Sequence, residues 1–263
     1  MSDSNTAGII AIKVNSEVVS LAETLFRAQF AGKLGFIDQV IETFLIRQEA
    51  SRLGITVSDK ELQEAADHFR SEKDLLKADN LYQWLHSKHI SVYAWEACLE
   101  DGLLRQKLSQ AITADEIEKY FATNILDFEY AIISRIVVAT EDLAKELKSQ
   151  MLEEDADFHQ LARSHSTDVA TQLAGGFAGK VYRRQLSSAA EASVFGASPG
   201  SIVGPFKTDS GWELLKVESR QVASLDQANR EAIEKIVFAE WLADKCRKAP
   251  IEIPFFELLE ESE

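Results

Sequence analysis

The chain has 263 residues, of which 46% are hydrophobic and 27% charged, and such proportions are ordinary for a globular protein. They exclude a collagen-like, low-complexity or wholly disordered chain. With 28 basic and 43 acidic residues the formal net charge is −15, which repels phosphate backbones and therefore disfavours nucleic-acid binding.

The first residues indicate neither an export signal nor a membrane span. Residues 1–4 carry an acid where a signal peptide carries Lys or Arg. The apolar run of residues 7–12 ends at Lys13, far short of the roughly 20 residues that a spanning helix needs. We therefore expect a cytoplasmic protein.

Residues 1 to about 125 are predicted to be mainly helical, after a strand at residues 9–14. Apolar residues recur at helical spacing, in the groups Leu21, Leu25, Ala28; Val40, Ile41, Phe44, Leu45, Leu53; Leu81, Trp84, Leu85; and Trp95, Leu99, Leu103, Leu104. Ser58 to Glu61 and Thr113 to Glu116 each have the spacing of a capping box, which predicts that a helix begins there. We expect Trp84, Trp95 and Trp241 in the core of this module, the alternative being a peptide-binding groove.

The pattern changes near residue 128. Residues 130–138 are β-branched and lack a helical period, which predicts a strand. The later elements are predicted as a helix capped by Thr140, a short helix around Phe158, a turn-rich segment from Ser166 to Lys180, a helix from Ser187 to Phe195, and strands at residues 202–203 and 212–217. This order predicts a compact α+β unit.

A helix predicted from Leu225 to Pro250 carries an apolar face that needs a partner. The N-terminal helices are the expected partner, so the α+β unit would be inserted into a single helical module. The predicted domains are residues 1–126, 127–221 and 222–263, and the acidic end at residues 257–263 is expected to be solvated.

The usual motifs of metal and cofactor sites are missing from the sequence. Cys98 and Cys246 have neither zinc-site nor disulfide-framework spacing, and we expect Cys98 to be a small buried hydrophobe. The histidines show no HExxH spacing, and no GxGxxG, Walker or GxSxG motif occurs. We therefore expect no metal and no cofactor.

The most specific pattern lies between residues 158 and 212. It consists of Phe158 with Leu161-Ala162, Ser166-Thr167-Asp168, Gly175-Gly176, residues 183–195, Pro199-Gly200, Gly204-Pro205-Phe206 and residues 208–212. In this order the motifs resemble the parvulin-type (PpiC/rotamase) peptidyl-prolyl isomerase domain, over roughly residues 128–220. Residues 10–17 and 52–62 resemble parts of the SurA/PrsA-type foldases, which wrap a helical chaperone module around a parvulin insert.

The resemblance implies where the chemistry would lie. Rotation about an Xaa-Pro amide meets a barrier of about 18–20 kcal/mol, and parvulins use an apolar proline pocket, a Cys or Asp, and two His on adjacent central strands. The catalytic positions correspond to Asp168, Arg135 and Glu213, with the hydroxyls of Thr208 and Ser210 beside them. The substrate-binding positions correspond to Ala178, Leu186 and Ala190, with Phe195 at the end of the helix and Phe177 as a neighbour.

Several of these positions depart from the family. Arg135 and Glu213 replace the two His, and we expect them to form a salt bridge across adjacent strands. Ala190 replaces a Phe, and Ala178 replaces a Leu, each loss being worth about 1–3 kcal/mol of contacts. The pocket should be shallow, or refilled by Phe177 or Tyr182.

Each of these residues also has a structural interpretation. Asp168 could cap a turn, Leu186 could serve in helix packing, and the Arg135–Glu213 pair could be structural rather than catalytic.

Two functional classes follow. One is an isomerase acting on Xaa-Pro bonds of unfolded or precursor peptides. The other is a peptide-binding escort, or a scaffold subunit of a peptide-maturation or export system, that works without turnover. The departures favour the second class for the mechanism, and unfolded or proline-containing peptides are the expected partners of both.

Overall fold

The computed structural model describes residues 9–254 and 256. The chain divides into two compact units, Met1–Glu116 with Glu234–Glu263 and Ile117–Ile233. The predicted domain boundaries, after residues 126 and 221, stay predictions, and the acidic end lies outside the described residues. None of the helices in the described part of the chain combines the length and hydropathy that a membrane span requires.

The helices, in chain order, are α1 (Leu21–Phe30), α2 (Phe36–Arg52), α3 (Asp59–Glu72), α4 (Ala78–Ser87), α5 (Val92–Thr113), α6 (Ile117–Thr123), α7 (Glu141–Glu153), α8 (Phe158–His165), α9 (Val169–Gln172), α10 (Ser188–Gly196) and α11 (Gln227–Lys248). The strands are β1 (Ile10–Val14), β2 (Glu17–Ser20), β3 (Tyr130–Val138), β4 (Phe177–Tyr182), β5 (Ile202–Thr208) and β6 (Gly211–Gln221). Short 3-10 helices occupy Ile125–Phe128 and Arg183–Gln185.

The helical unit has two apolar cores. One contains Ile46, Leu108, Phe238 and Leu242, with Trp241 partly buried against it, so that α2, α5 and α11 pack together. The other contains Leu75, Leu81, Leu85 and Trp95, with Trp84 partly buried against it. The predicted core position is thus confirmed for Trp95, whereas Trp84 and Trp241 are only partly buried at the edges of the cores.

An ion-pair cluster ties α11 to α2 beside the first core. Glu49 contacts Arg52 at 2.7 Å and Lys245 at 3.2 Å. Hydrogen bonding from Arg52, followed by the charge and hydrogen bond of Lys245, outweighs burial and lowers the pKa of Glu49 to about 2. This carboxylate therefore joins two elements that are distant in sequence.

Two local predictions in the helical unit are wrong. The capping box at Ser58 is confirmed. A helix also begins at Ile117, after the second motif, but Thr113 does not cap it. Thr113 is the last residue of α5, and its buried hydroxyl donates to the Ser109 carbonyl at 2.8 Å. A hydroxyl engaged with the preceding turn does not cap a new helix. Cys98 is exposed rather than buried, because Trp95 and Leu99 supply the face of α5 that packs on the core.

Residues 117–233 contain a four-stranded antiparallel sheet with strand order β4-β3-β6-β5. Strand β3 coincides with its prediction. On one face α7 and α8 pack over Ile136, Val138 and Leu214. On the other face α10 packs over Ala131, Ile133, Leu215 and Val217. The predicted α+β class, with the sheet unit inserted between two parts of a helical unit, is confirmed.

The segment predicted to be turn-rich, residues 166–180, has a turn at residues 173–176, but it also contains α9 and the start of edge strand β4, which were not predicted. Gly175 and Gly176, with φ of 69° and 83°, form the turn that leads into β4. Pairing with β3, rather than the local composition of a strand that contains Gly179, makes this segment extended.

Candidate functional site

Strands β3 and β6 bring Arg135 and Glu213 together on the face of the sheet that carries α10. Arg135 pairs with Leu215 and Val137 pairs with Glu213, and residues two apart on a strand share a face. Arg135 Nη1 lies 3.9 Å from Glu213 Oε1, with 15% of the Glu213 side chain exposed. The predicted cross-strand pair is therefore present, but it is too long to be a hydrogen bond.

The shorter contact of Arg135 is with Asp168. Arg135 Nε donates to Asp168 Oδ2 at 2.8 Å, and the Thr171 hydroxyl donates to the same oxygen. Asp168 stands at the N-cap position of α9, but its carboxylate makes no capping hydrogen bond there. The structure thus brings Arg135, Asp168 and Glu213 together, and the carboxylate that holds the guanidinium is Asp168.

The double glycine holds the backbone of this site in place. Arg135 N donates to Gly176 O at 2.7 Å, and Gly176 N donates to Thr171 O at 2.9 Å. An added Cβ on Gly176 would overlap the Arg135 carbonyl oxygen, so the close approach requires glycine. Neither Thr171 nor the backbone role of Gly176 was singled out from the sequence, although the double glycine beside Asp168 was a signal that could have led to them.

The two carboxylates respond to this environment in opposite directions. Burial raises the pKa of Asp168, but hydrogen bonds from Thr171 and Arg135 outweigh burial and leave the pKa below its ordinary value. Burial also raises the pKa of Glu213, and there the Arg135 charge, opposed by that of Asp168, fails to reverse the shift. Asp168 is therefore the main counter-ion of Arg135, whereas the charged form of Glu213 is disfavoured in the folded protein.

The arrangement leaves hydrogen-bond donors of Arg135 accessible. A guanidinium has five N–H donors, and the Arg135 side chain is 36% exposed, so donors remain for a carbonyl oxygen. Among residues 9–254 and 256, no three His, Cys, Asp or Glu side chains converge in a way that would hold a metal ion.

The positions of the proline pocket do not form an open apolar wall. Ala190 is only 2% exposed and packs with Val194 and Leu215, and Leu186 and Phe195 are partly buried against the same core. Ala178, in the edge strand β4, is exposed.

The predicted refilling of this pocket by Phe177 or Tyr182 is wrong. The Phe177 side chain is 52% exposed. Tyr182 pairs with Tyr130 in the sheet, and their ring centroids are 5.9 Å apart. Strand alternation directs both tyrosines away from the face that carries Ala131 and α10. Aliphatic side chains close over Ala190 instead.

The two predicted hydroxyl residues lie at the β5–β6 turn. Thr208 Oγ1 donates to Gly211 O at 3.1 Å, and both Thr208 and Ser210 are exposed. Their catalytic roles stay predictions.

Comparison with known proteins agrees with this geometry. Residues 129–219 match the family described as Rotamase, the PPIC-type PPIASE domain. The foldase protein PrsA of Caldanaerobacter subterraneus subsp. tengcongensis is 29% identical over 196 residues, which are 74% of this chain and 60% of that protein. The chaperone SurA of Saccharophagus degradans is 30% identical over 104 residues, which are 39% of this chain and 24% of that protein.

A solved structure shows the same fold. The crystal structure of PrsA from Bacillus cereus superposes with a TM-score of 0.50 at 18% identity, covering 98% of this chain and all of that one. The chain spans about 60% of the length of the curated PrsA relative. Residues 129–219 therefore form a parvulin domain of the PpiC type, and the chain is a relative of the PrsA and SurA proteins.

Proposed function

We propose that this chain is a foldase that binds unfolded or precursor peptides, and that its parvulin domain binds proline-containing segments with little isomerase activity. The observation that carries the proposal is the contact of Arg135 with Asp168 at 2.8 Å, at a position where parvulins have a His. The burial of Ala190, 2% exposed, supports the same conclusion because the family uses that position to form the pocket wall.

The physical argument concerns the twisted amide. Lowering a barrier of about 18–20 kcal/mol requires a site that holds the proline ring, excludes water and matches the rotated bond. With Ala190 packed into the core, the ring loses its wall. The Arg135 guanidinium can still donate to a carbonyl oxygen, and such a contact binds planar and twisted amides alike. Equal binding of both states does not accelerate the rotation.

The deciding experiment is NMR exchange spectroscopy on a panel of Xaa-Pro peptides. We expect line broadening of the peptide on addition of the protein, with no change in the cis–trans exchange rate. The Arg135→Gln variant should weaken this binding, because it removes the charged donor. Arg184→Gln is the matched control, since Arg184 is exposed and lies 6.0 Å from the Tyr182 ring, outside the site. Accelerated exchange at micromolar protein would establish the enzyme instead, and unbroadened spectra would contradict peptide binding.

The helical unit offers a second surface for unfolded chains. Phe36, Val40 and Phe44 recur at four-residue steps on α2 and are 51%, 48% and 54% exposed. On α1, Phe26 and Phe30 are 56% and 89% exposed. Large exposed apolar side chains in clusters are typical of interaction surfaces, which supports a chaperone role for this unit.

This part of the proposal is tested by suppression of aggregation of an unfolded protein. Replacing Phe30 and Phe36 by Ser should reduce the suppression. Tyr93 is an aromatic residue of α5 that is 81% exposed, and replacing it should leave the suppression of aggregation unchanged. Equal behaviour of the two variants would show that the apolar surface is not used.

An escort or scaffold subunit of a peptide-maturation or export system is the alternative, and the closed position of Ala190 is equally compatible with it. Such a subunit would co-purify with one fixed partner rather than bind a broad panel of peptides. This partner and the cytoplasmic location stay predictions.

A further inference from the structure

A cavity lies in residues 117–233, at the other end of the face that carries Arg135. It has a volume of about 390 Å³ and is lined by Glu129, Arg183, Phe195, Arg220, Gln221 and Val222. Arg220 pairs with Ala131, four residues before Arg135 on β3, so the two sites are about 13 Å apart along the strand. Phe195, which the family resemblance assigns to the proline pocket, lines this cavity.

The first arginine of the cavity is already neutralised. Arg183 donates through Nε and Nη2 to Glu129 and through Nη1 to Glu191, at 2.6 to 2.8 Å. Its guanidinium also stacks on the Phe195 ring, 4.1 Å from the centroid. Arg183 is therefore a fixed wall of the cavity and has no uncompensated charge to offer a ligand.

The second arginine is held in position but has no counter-ion. Arg220 donates through Nη1 to the Phe195 carbonyl, and no carboxylate lies within ion-pair distance of it among the described residues. This is notable in a chain with 43 acidic and 28 basic residues. A guanidinium anchored by a neutral carbonyl keeps its charge and its remaining donors, and these suit the two oxygens of a carboxylate.

We propose that this cavity binds the carboxylate of a peptide through Arg220. Within the described part of the chain Arg220 makes no ion pair, because Glu129 and Glu191 are both held by Arg183, so its guanidinium can pair with one carboxylate. The Phe195 ring and the exposed Val222 provide apolar contact for the group that bears this carboxylate. The volume is within the range of small-ligand sites. The carboxylate comes from a chain terminus or from an acidic side chain. The site does not depend on peptide binding at Arg135, so each can fail without the other.

The test is an NMR titration of the full-length protein with three N-acetylated peptides of equal length. One has a free C-terminal carboxylate, one has a C-terminal amide and an internal Glu, and one has the amide and no acid. Saturable shifts of the amides of Phe195, Gln221 and Val222 with either acidic peptide support the proposal, and the stronger binder identifies the source of the carboxylate. Shifts of equal size with the uncharged peptide, or none with all three, overturn it.

The variant Arg220→Gln should weaken binding of the acidic peptide by about tenfold or more, because a charge-assisted hydrogen bond is lost. Arg184 is exposed and does not line the cavity, so the control variant Arg184→Gln should leave the binding unchanged. A well-dispersed spectrum of each variant establishes that it is folded. Retained affinity in Arg220→Gln, or equal loss in Arg184→Gln, would show that Arg220 is not the anion-binding group.

Discussion

The roles of the two carboxylates beside Arg135 can be separated by a pair of isosteric amide substitutions. We predict that Asp168→Asn destabilises the fold by about 1–3 kcal/mol, because charge-assisted hydrogen bonds to Arg135 and Thr171 are lost. Glu213→Gln should leave the free energy of unfolding unchanged or raise it. The exposed fractions of the two side chains are similar, 16% for Asp168 and 15% for Glu213.

The magnitude for Glu213 follows from two opposing effects. At 3.9 Å and an effective dielectric constant of about 20, the attraction to Arg135 is about 4 kcal/mol. Removing a carboxylate from water costs several kcal/mol, which is of the same size. The direction of the pKa decides between them. Because the pKa of Glu213 is raised, the desolvation penalty and the repulsion by Asp168 together exceed the attraction to Arg135.

The pH dependence provides an independent check of the sign. A carboxyl whose folded pKa lies above its ordinary value of 4.5 binds more protons in the folded state, so stability falls as the pH rises from 4.5 through the raised pKa. Glu213→Gln should remove this decline. Asp168, with a lowered pKa, contributes stability that is present above its ordinary value of 3.8 and is lost as the pH falls through its folded pKa.

The assay is urea denaturation of each variant across this pH range, with unfolding monitored by circular dichroism. If Glu213→Gln at neutral pH costs as much as Asp168→Asn, the Arg135–Glu213 contact is a stabilising buried pair and the assignment of Asp168 as the main counter-ion is wrong. A decline with pH that persists in Glu213→Gln would place the responsible proton on another group.

Three further substitutions test the fold, two of them beside the site and one in the helical unit. Gly176→Ala should destabilise by about 2 kcal/mol or more, because the new Cβ overlaps a carbonyl of β3. Gly179 has a similar positive φ, but its new Cβ would make only an ordinary van der Waals contact with Phe177, so Gly179→Ala should cost less in the same urea assay. Glu49→Gln should reduce the loss of stability as the pH falls from 4.5 towards about 2, measured by acid unfolding. Ala190→Phe should cost about 1–3 kcal/mol by overpacking, whereas Ala189→Phe on the exposed side of α10 should be tolerated; equal tolerance would mean that the pocket is open.

The sequence predicted the framework well where the local signals were strong. Strand β3 is an uninterrupted β-branched segment, and the capping box at Ser58 opens α3 where its spacing predicts. The motifs of the parvulin domain also placed Arg135 and Glu213 on neighbouring strands. What could not be predicted is set by contacts between residues distant in sequence. Strand β4, for example, was not predicted, because its extended conformation depends on pairing with β3.

The sequence predicted which charged residues form the site, but it did not predict which of them contact each other. Both charged residues at the His positions were identified, but sequence gives no distances, so the nearer partner of Arg135 could not be chosen between Asp168 and Glu213. Thr171 was missed because a threonine in a four-residue helix has no distinctive pattern. The closure over Ala190 depends on how far α10 lies from the sheet, and local composition does not determine that distance.

The charge balance of the site argues for a role in binding. Asp168 already neutralises Arg135, so Glu213 is not needed to hold the guanidinium. A third charged group then remains, largely buried, with a pKa that burial has raised. Carboxyl groups with pKa values perturbed in this way are frequent at functional sites. Beside the free donors of Arg135, Glu213 offers an acceptor to a peptide N–H, so that an extended peptide could be held through both its carbonyl and its amide without any demand on the geometry of the proline bond.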